Sequence, residues 1–130
     1  RLMIRPLPII GAIVLLANIA FLLLGKSAII LALGPDFAGI FKPTLVYLVG
    51  VSIAMLTFSF HPALLALNKP EASFKILSVS VLAYIVSICL LVDNYGLIGA
   101  SMSYIIFYST WAMLQIIAIY QTRKNREAFN

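Results

Sequence analysis

Few side chains in this sequence could do chemistry, and their placement limits what that chemistry is. The four carboxylates, Asp36, Glu71, Asp93 and Glu127, fall at the edges of apolar runs or in the C-terminal tail. A proton- or sodium-coupled site usually holds a carboxylate within the membrane, and no apolar run here contains one. No two acids are spaced as a catalytic pair, no Gly-rich loop could cradle a phosphate, and a lone His61 cannot build a metal site. Cys89, the one cysteine, can form no intrachain disulfide and reads as a small packing residue in an apolar run. The sequence therefore offers no catalytic residue, no metal site and no need for a cofactor.

The remaining polar candidates lie inside or beside apolar runs. Asn18 sits near the middle of the first run. Its amide would be costly against lipid, so it should bond a neighbouring helix or face a wet cavity and contact a sugar hydroxyl. His61 stands beside Pro62 in "TFSFHPALLALNKP". Pro62 cannot donate to the carbonyl of Phe58, and its ring opens that turn. Thr57 and Ser59 can satisfy the freed backbone groups. His61 is then either packed at a structural kink or the polar flank of a hinge centred on Pro62. Lys26 and Lys42 either snorkel to the interface or attract the phosphate of an anionic lipid.

The elements that carry these residues follow from composition. Of 130 residues, 63% are hydrophobic and 10% charged, against about 45–50% and about 25% in soluble domains. Nine basic and four acidic residues cannot cover the exterior of a soluble domain of this size. The chain reads as an integral membrane protein. Its net charge of +5 is scattered along the edges of apolar runs, which points to membrane topology and away from nucleic acid.

A helix needs about 20 apolar residues to cross about 30 Å of hydrocarbon. Four runs qualify: Leu7 to Leu24, Thr44 to Leu67, Ala72 to Val92 and Leu97 to Tyr120. None alternates as a membrane strand does. Pro6 and Pro8 mark the first entrance, and Gly34-Pro35-Asp36 reads as a helix start with an acid at the positive end of the dipole. The stretch "GKSAIILAL" either extends the first span or lies along the interface, and Pro43 can begin the second span. Asn68-Lys69-Pro70 separates the second and third spans, and "DNYG" reads as a tight turn before the fourth. Small residues form packing stripes: Ser80, Ala83 and Ser87 on the third span, and Gly96, Gly99 and Ser103 on the fourth, with Ala100 beside them. The predicted fold is all-α, a polytopic membrane bundle of four transmembrane helices.

Basic residues set the orientation. Arg1, Arg5, Lys69, Lys75, Arg123, Lys124 and Arg126 fall on one side, and only Lys26 and Lys42 on the other. Both termini and the 68–75 connection are therefore predicted to be cytoplasmic. The 25–43 and 93–96 connections face outward. The chain starts at Arg1 with no initiator methionine, so it is expected to be a piece of a longer protein.

Three stretches, taken in order, carry a resemblance. They are "LALGPDFAGIFKP", "HPALLALNKPEASFKI" and "DNYGLIGASMSYII". Together they resemble the C-terminal region of polysaccharide and O-antigen flippases. That family shares a superfamily with multidrug and toxin extrusion exporters and lipid II flippases. The resemblance implies that residues 1–130 are the last four spans of a larger two-bundle transporter in the inner membrane. Its partners would be the bilayer, the remaining N-terminal spans and a lipid-linked oligosaccharide, flipped between leaflets by alternating access. It transfers no binding residue, so Asn18, Lys26, Lys42 and His61 stay candidates read from the sequence alone. Alternatives are an exporter of the same superfamily, or a small four-span channel or assembly protein. A membrane glycosyltransferase would need catalytic residues in large outward loops, and these connections are short.

The orientation is directly testable. In a Cys89→Ser background, Lys69→Cys should react with a membrane-impermeant maleimide only after the cells are permeabilised. Asn94→Cys should react in intact cells. The reverse pattern would overturn the topology.

Overall fold

A computed structural model describes residues 7–127, and over these residues the chain contains helices and no strand. Arg1, Arg5 and Pro6 lie outside the described residues. In chain order the elements are α1 (Leu7–Leu33), a 3₁₀ helix (Pro35–Ile40), α2 (Phe41–Thr57), α3 (Phe60–Ala66) and α4 (Pro70–Glu127). Three helical stretches are long and apolar enough to cross a membrane: Leu7–Leu33, Pro35–Ala66 and Pro70–Thr122.

The distribution of polarity fits lipid as the solvent. Leu15, Leu23, Leu31, Phe58, Phe74 and Leu82 are exposed. Thr57, Ser73, Ser80, Ser87, Ser101, Ser103 and Gln115 are buried. A water-soluble fold buries its large apolar side chains and exposes its polar ones. Here small hydroxyl residues line the seams between helices, which lets backbones approach closely.

α1 continues past Leu24 to Leu33. "GKSAIILAL" is therefore an extension of the first helix. Its 27 residues reach about 40 Å at 1.5 Å per residue, more than the hydrocarbon thickness. The helix ends where Gly34 adopts φ 101° and ψ 165°, a conformation open in effect only to glycine. Pro35 and Asp36 then occupy the first turn of the 3₁₀ helix, as the Gly-Pro-Asp sequence predicts. α2 begins at Phe41, so Pro43 lies within the first turn, where its missing N–H leaves no orphaned partner.

Between α2 and α3 the hydrogen-bond ladder is interrupted at Phe58 and Ser59. Both residues keep right-handed helical dihedrals, −51°/−36° and −70°/−15°. The break sits one turn before Pro62, where a proline removes the bond to the preceding carbonyl. One sequence expectation is corrected. The Thr57 hydroxyl donates to the upstream carbonyls of Ile53, at 2.7 Å, and Ala54, at 3.3 Å, and Ser59 makes no capping bond. Neither side chain serves the Phe58 carbonyl that Pro62 leaves free.

α4 contains one non-helical residue, Gly96, at φ 55° and ψ −131°. The chain reverses there. A Cβ on Gly99 would overlap the carbonyl of Leu91, although a straight helix holds these residues about 12 Å apart. Further along, Tyr84 meets the edge of Phe107 at 6.0 Å between ring centroids. α4 is thus a helical hairpin with antiparallel limbs, residues 70–95 and 97–127. The turn is a single glycine in a conformation that L-residues avoid, tighter than the "DNYG" composition implies.

α1 packs against the 3₁₀ helix and α2, while α2 and α3 pack against α4. The α1–α2 seam is antiparallel: Phe21 stacks on Phe41 at 5.7 Å, and Gly11 faces Leu56. α2 and α3 run alongside the second limb of α4 in the same direction, since Tyr47 meets Tyr104 and His61 meets Trp111.

The hairpin predicts a contrast between two glycines. Gly99→Ala sets a methyl against the Leu91 backbone, which cannot rotate away, and should cost about 2–3 kcal/mol. Gly39→Ala meets open space and should change stability by less than about 0.5 kcal/mol. Unfolding titrations of both variants in mixed micelles would measure this. Equal effects would contradict the close antiparallel limbs.

Candidate functional site

The second limb of α4 carries Tyr104, Tyr108, Trp111 and Gln115 at intervals of four, three and four, with Phe107 next to Tyr108. That spacing places them along one side of a helix. Their rings form a continuous column. Tyr47 from α2 stacks on Tyr104 at 4.4 Å and 27°. Tyr104 meets Tyr108 edge-on at 4.7 Å, and Tyr108 meets Trp111 edge-on at 5.9 Å. Trp111 ends on the His61 ring at 6.2 Å. Phe107 widens the column with contacts to Tyr108 and Tyr84. Offset and edge-to-face pairs each add about 0.5–1.5 kcal/mol beyond the area they bury. Gly50 makes the column possible, because a Cβ there would lie 2.7 Å from the Tyr104 ring.

A polar seam lies at one end of the column. His61 Nδ1 and the Ser73 hydroxyl are 2.8 Å apart, linking α3 to the first limb of α4. Ser73 is buried, and His61 is half-buried with Trp111 against its ring. One turn beyond Trp111, Gln115 is wholly buried, and neither amide atom bonds another group among the described residues. Leu64, one turn beyond His61, is also wholly buried. Pro62 is exposed beside this seam.

An open cleft of about 350 Å³ lies at the other end. Pro43, Thr44 and Tyr47 supply one wall, Tyr84 a second, and Leu97, Ser101 and Tyr104 a third. No charged side chain lines it. The hydroxyls of Thr44 and Ser101 donate to the carbonyls of Ile40, at 2.8 Å, and Leu97, at 3.1 Å. Their lone pairs remain available as acceptors.

The other sequence candidates lie elsewhere. Asn18 belongs to the α1–α2 seam, where its amide donates to the Val14 carbonyl at 2.7 Å and to the Ser52 hydroxyl at 2.9 Å. Ser52 in turn donates to the Leu48 carbonyl at 2.7 Å. Lys26 and Lys42 are exposed, and neither lines the cleft. The structure therefore brings His61 and Pro62 to one seam and holds Asn18, Lys26 and Lys42 apart from it. No group of three metal-ligating side chains occurs among the described residues.

Sequence reasoning passed over the aromatic column, the cleft and Gln115. The Tyr104–Tyr108–Trp111 spacing was the available signal for the first. The cleft depends on pairing three separate segments, which no local pattern encodes. No protein family, curated protein or solved structure matches the chain.

The Asn18–Ser52 bond gives a measurable coupling. A double-mutant cycle with Asn18→Leu and Ser52→Ala, read by unfolding in mixed micelles, should return about 0.5–2 kcal/mol. Additive single effects would show that the bond does not hold this seam.

Proposed function

We propose that this chain is the closing segment of an inner-membrane transporter that flips a lipid-linked oligosaccharide by alternating access. Four spans are assigned: α1, the interrupted Pro35–Ala66 helix, and the two limbs of α4. Both termini are cytoplasmic, and the remaining N-terminal spans form the rest of a two-bundle protein. The ordered resemblance of the Leu31–Pro43, His61–Ile76 and Asp93–Ile106 stretches to flippases motivates the reading.

The observation that carries it is the interruption of the second span beside the His61–Ser73 bond. Alternating access needs an element with two shapes. Phe58 and Ser59 have lost helical hydrogen bonds while keeping nearly helical dihedrals, so a small rotation there changes the span's bend at little backbone cost. Pro62 maintains that break. His61–Ser73 ties the cytoplasmic part of the span to the first limb of α4, so bending moves the two together. No carboxylate lies midway along α1, the Pro35–Ala66 helix or either limb of α4, so ion coupling is assigned to the N-terminal spans.

A multidrug exporter of the same superfamily is the second reading. The aromatic lining of the cleft is the observation behind it, because such rings can also hold flat apolar cations, although no carboxylate lines the cleft to balance their charge. Transport by the full-length protein in proteoliposomes separates the two. A polyprenyl-diphosphate-linked oligosaccharide should be flipped, and Pro62→Ala should lower its rate severalfold at equal protein level. Unchanged transport by Pro62→Ala would remove the hinge. Efflux of cationic dyes without sugar-lipid flipping would replace the flippase by the exporter.

A further inference from the structure

We infer that the cleft between the start of α2 and the two limbs of α4 is a binding site for an uncharged sugar ring, held by stacking on tyrosine. Its lining combines three phenol rings, Tyr47, Tyr84 and Tyr104, with two hydroxyls, Thr44 and Ser101, in a surround of Ile40, Pro43, Leu97 and Ala100. A ligand that suits this set needs an apolar flat face and hydroxyl donors on its rim. A pyranose ring has both. Its axial C–H bonds are weakly positive and pack on the negative face of an aromatic ring. Its hydroxyls can donate to Thr44 Oγ1 and Ser101 Oγ, whose own protons are already directed to helix carbonyls.

Other ligand classes fit less well. A phosphate would need a cation or a set of free amides, and the lining supplies neither. Lys42 is close in sequence to Thr44 but is exposed and does not line the cleft. An isoprenoid or acyl chain would leave the phenols and hydroxyls unused, and the exposed apolar faces of α1 and α4 already offer it a surface. The volume of about 350 Å³ is near the lower end of the roughly 300–1,000 Å³ of small-molecule sites, which suits about one or two rings.

The site is built by the fold. Tyr104 is fixed between Tyr47 and Tyr108, and its position over Gly50 requires the absence of a side chain there. Gly50 is thus a positioning residue for the cleft, since any side chain at that position pushes Tyr104 out of place. The transporter reading bears on this inference only through the source of the sugar, as a free oligosaccharide or as the headgroup of a sugar-lipid.

The test uses the full-length protein in phosphatidylcholine nanodiscs, with saturation-transfer NMR irradiating aromatic protons. The probes are maltotriose, dodecyl maltoside and farnesol. Maltotriose ring protons should receive saturation. Tyr104→Ala should reduce the signal at least fivefold, Gly50→Ala should reduce it similarly, and Tyr104→Phe should keep most of it. Tyr104→Phe and the melting curve of each variant control for folding. A signal from dodecyl maltoside alone would still support the site and assign it to a lipid-borne sugar. Farnesol signal without sugar signal would overturn the inference in favour of an apolar chain slot. Absence of signal from all three would overturn it as a packing gap. Sugar binding without any transport would leave the site standing and sink the transporter. Sugar-lipid flipping with no binding at the cleft would do the opposite.

Discussion

A polar group inside hydrocarbon has no water to turn to, and that constraint organises this structure. Hydroxyls deal with it locally. Thr44, Ser52, Thr57, Ser78, Ser80, Ser101, Ser103 and Thr122 each donate to the carbonyl one turn back on the same helix. Satisfied in this way, they can be buried without a partner on another helix. They then act as small residues and bring the helices close. Asn18 does both at once, bonding its own helix and Ser52 across the seam. His61 has no such local solution, and it reaches Ser73 on another element.

Close approach then decides where larger side chains go. Ser80 and Ser103, one on each limb of α4, are wholly buried, so small residues occupy packed positions on both limbs. Gly50 lets α2 rest on Tyr104. Rings that would otherwise face lipid are drawn into a column running from the cleft to the His61 seam. Tyr47 and His61 join the column from either side of the interruption at Phe58 and Ser59. The Pro35–Ala66 helix beside it is the one with an interrupted ladder. An interrupted helix packed against a continuous hairpin is an arrangement suited to alternating access, and the proposed function rests on that interruption.

Much of this was legible where the cause is local. Apolar runs announced helices in lipid, because only helices and closed β-barrels satisfy their amides there and these runs do not alternate as barrel strands do. Gly34-Pro35-Asp36 and Pro62 announced a helix start and a break, because glycine and proline act on their own turns. The end of α1 stayed open between Leu24 and an extension through "GKSAIILAL", since Lys26 ends an apolar run but does not end a helix. A lysine near a helix end can reach the interface with its long stem. The reversal was visible as a tight turn, but not that Gly96 alone would make it. The partners of Asn18 and His61, and the cleft itself, were not legible. Each joins segments far apart in sequence, and only packing decides which face meets which.

The central claim is that lipid, not water, surrounds these helices, and that the second span is the weak one. Hydrogen–deuterium exchange on the full-length protein in nanodiscs tests both parts at once. Amides along α1 and both limbs of α4 should be strongly protected, with faster exchange within the spans at residues 58–61 and at the turn at Gly96. Uniformly rapid exchange along these helices, or protection at 58–61 equal to that of their interiors, would contradict the account.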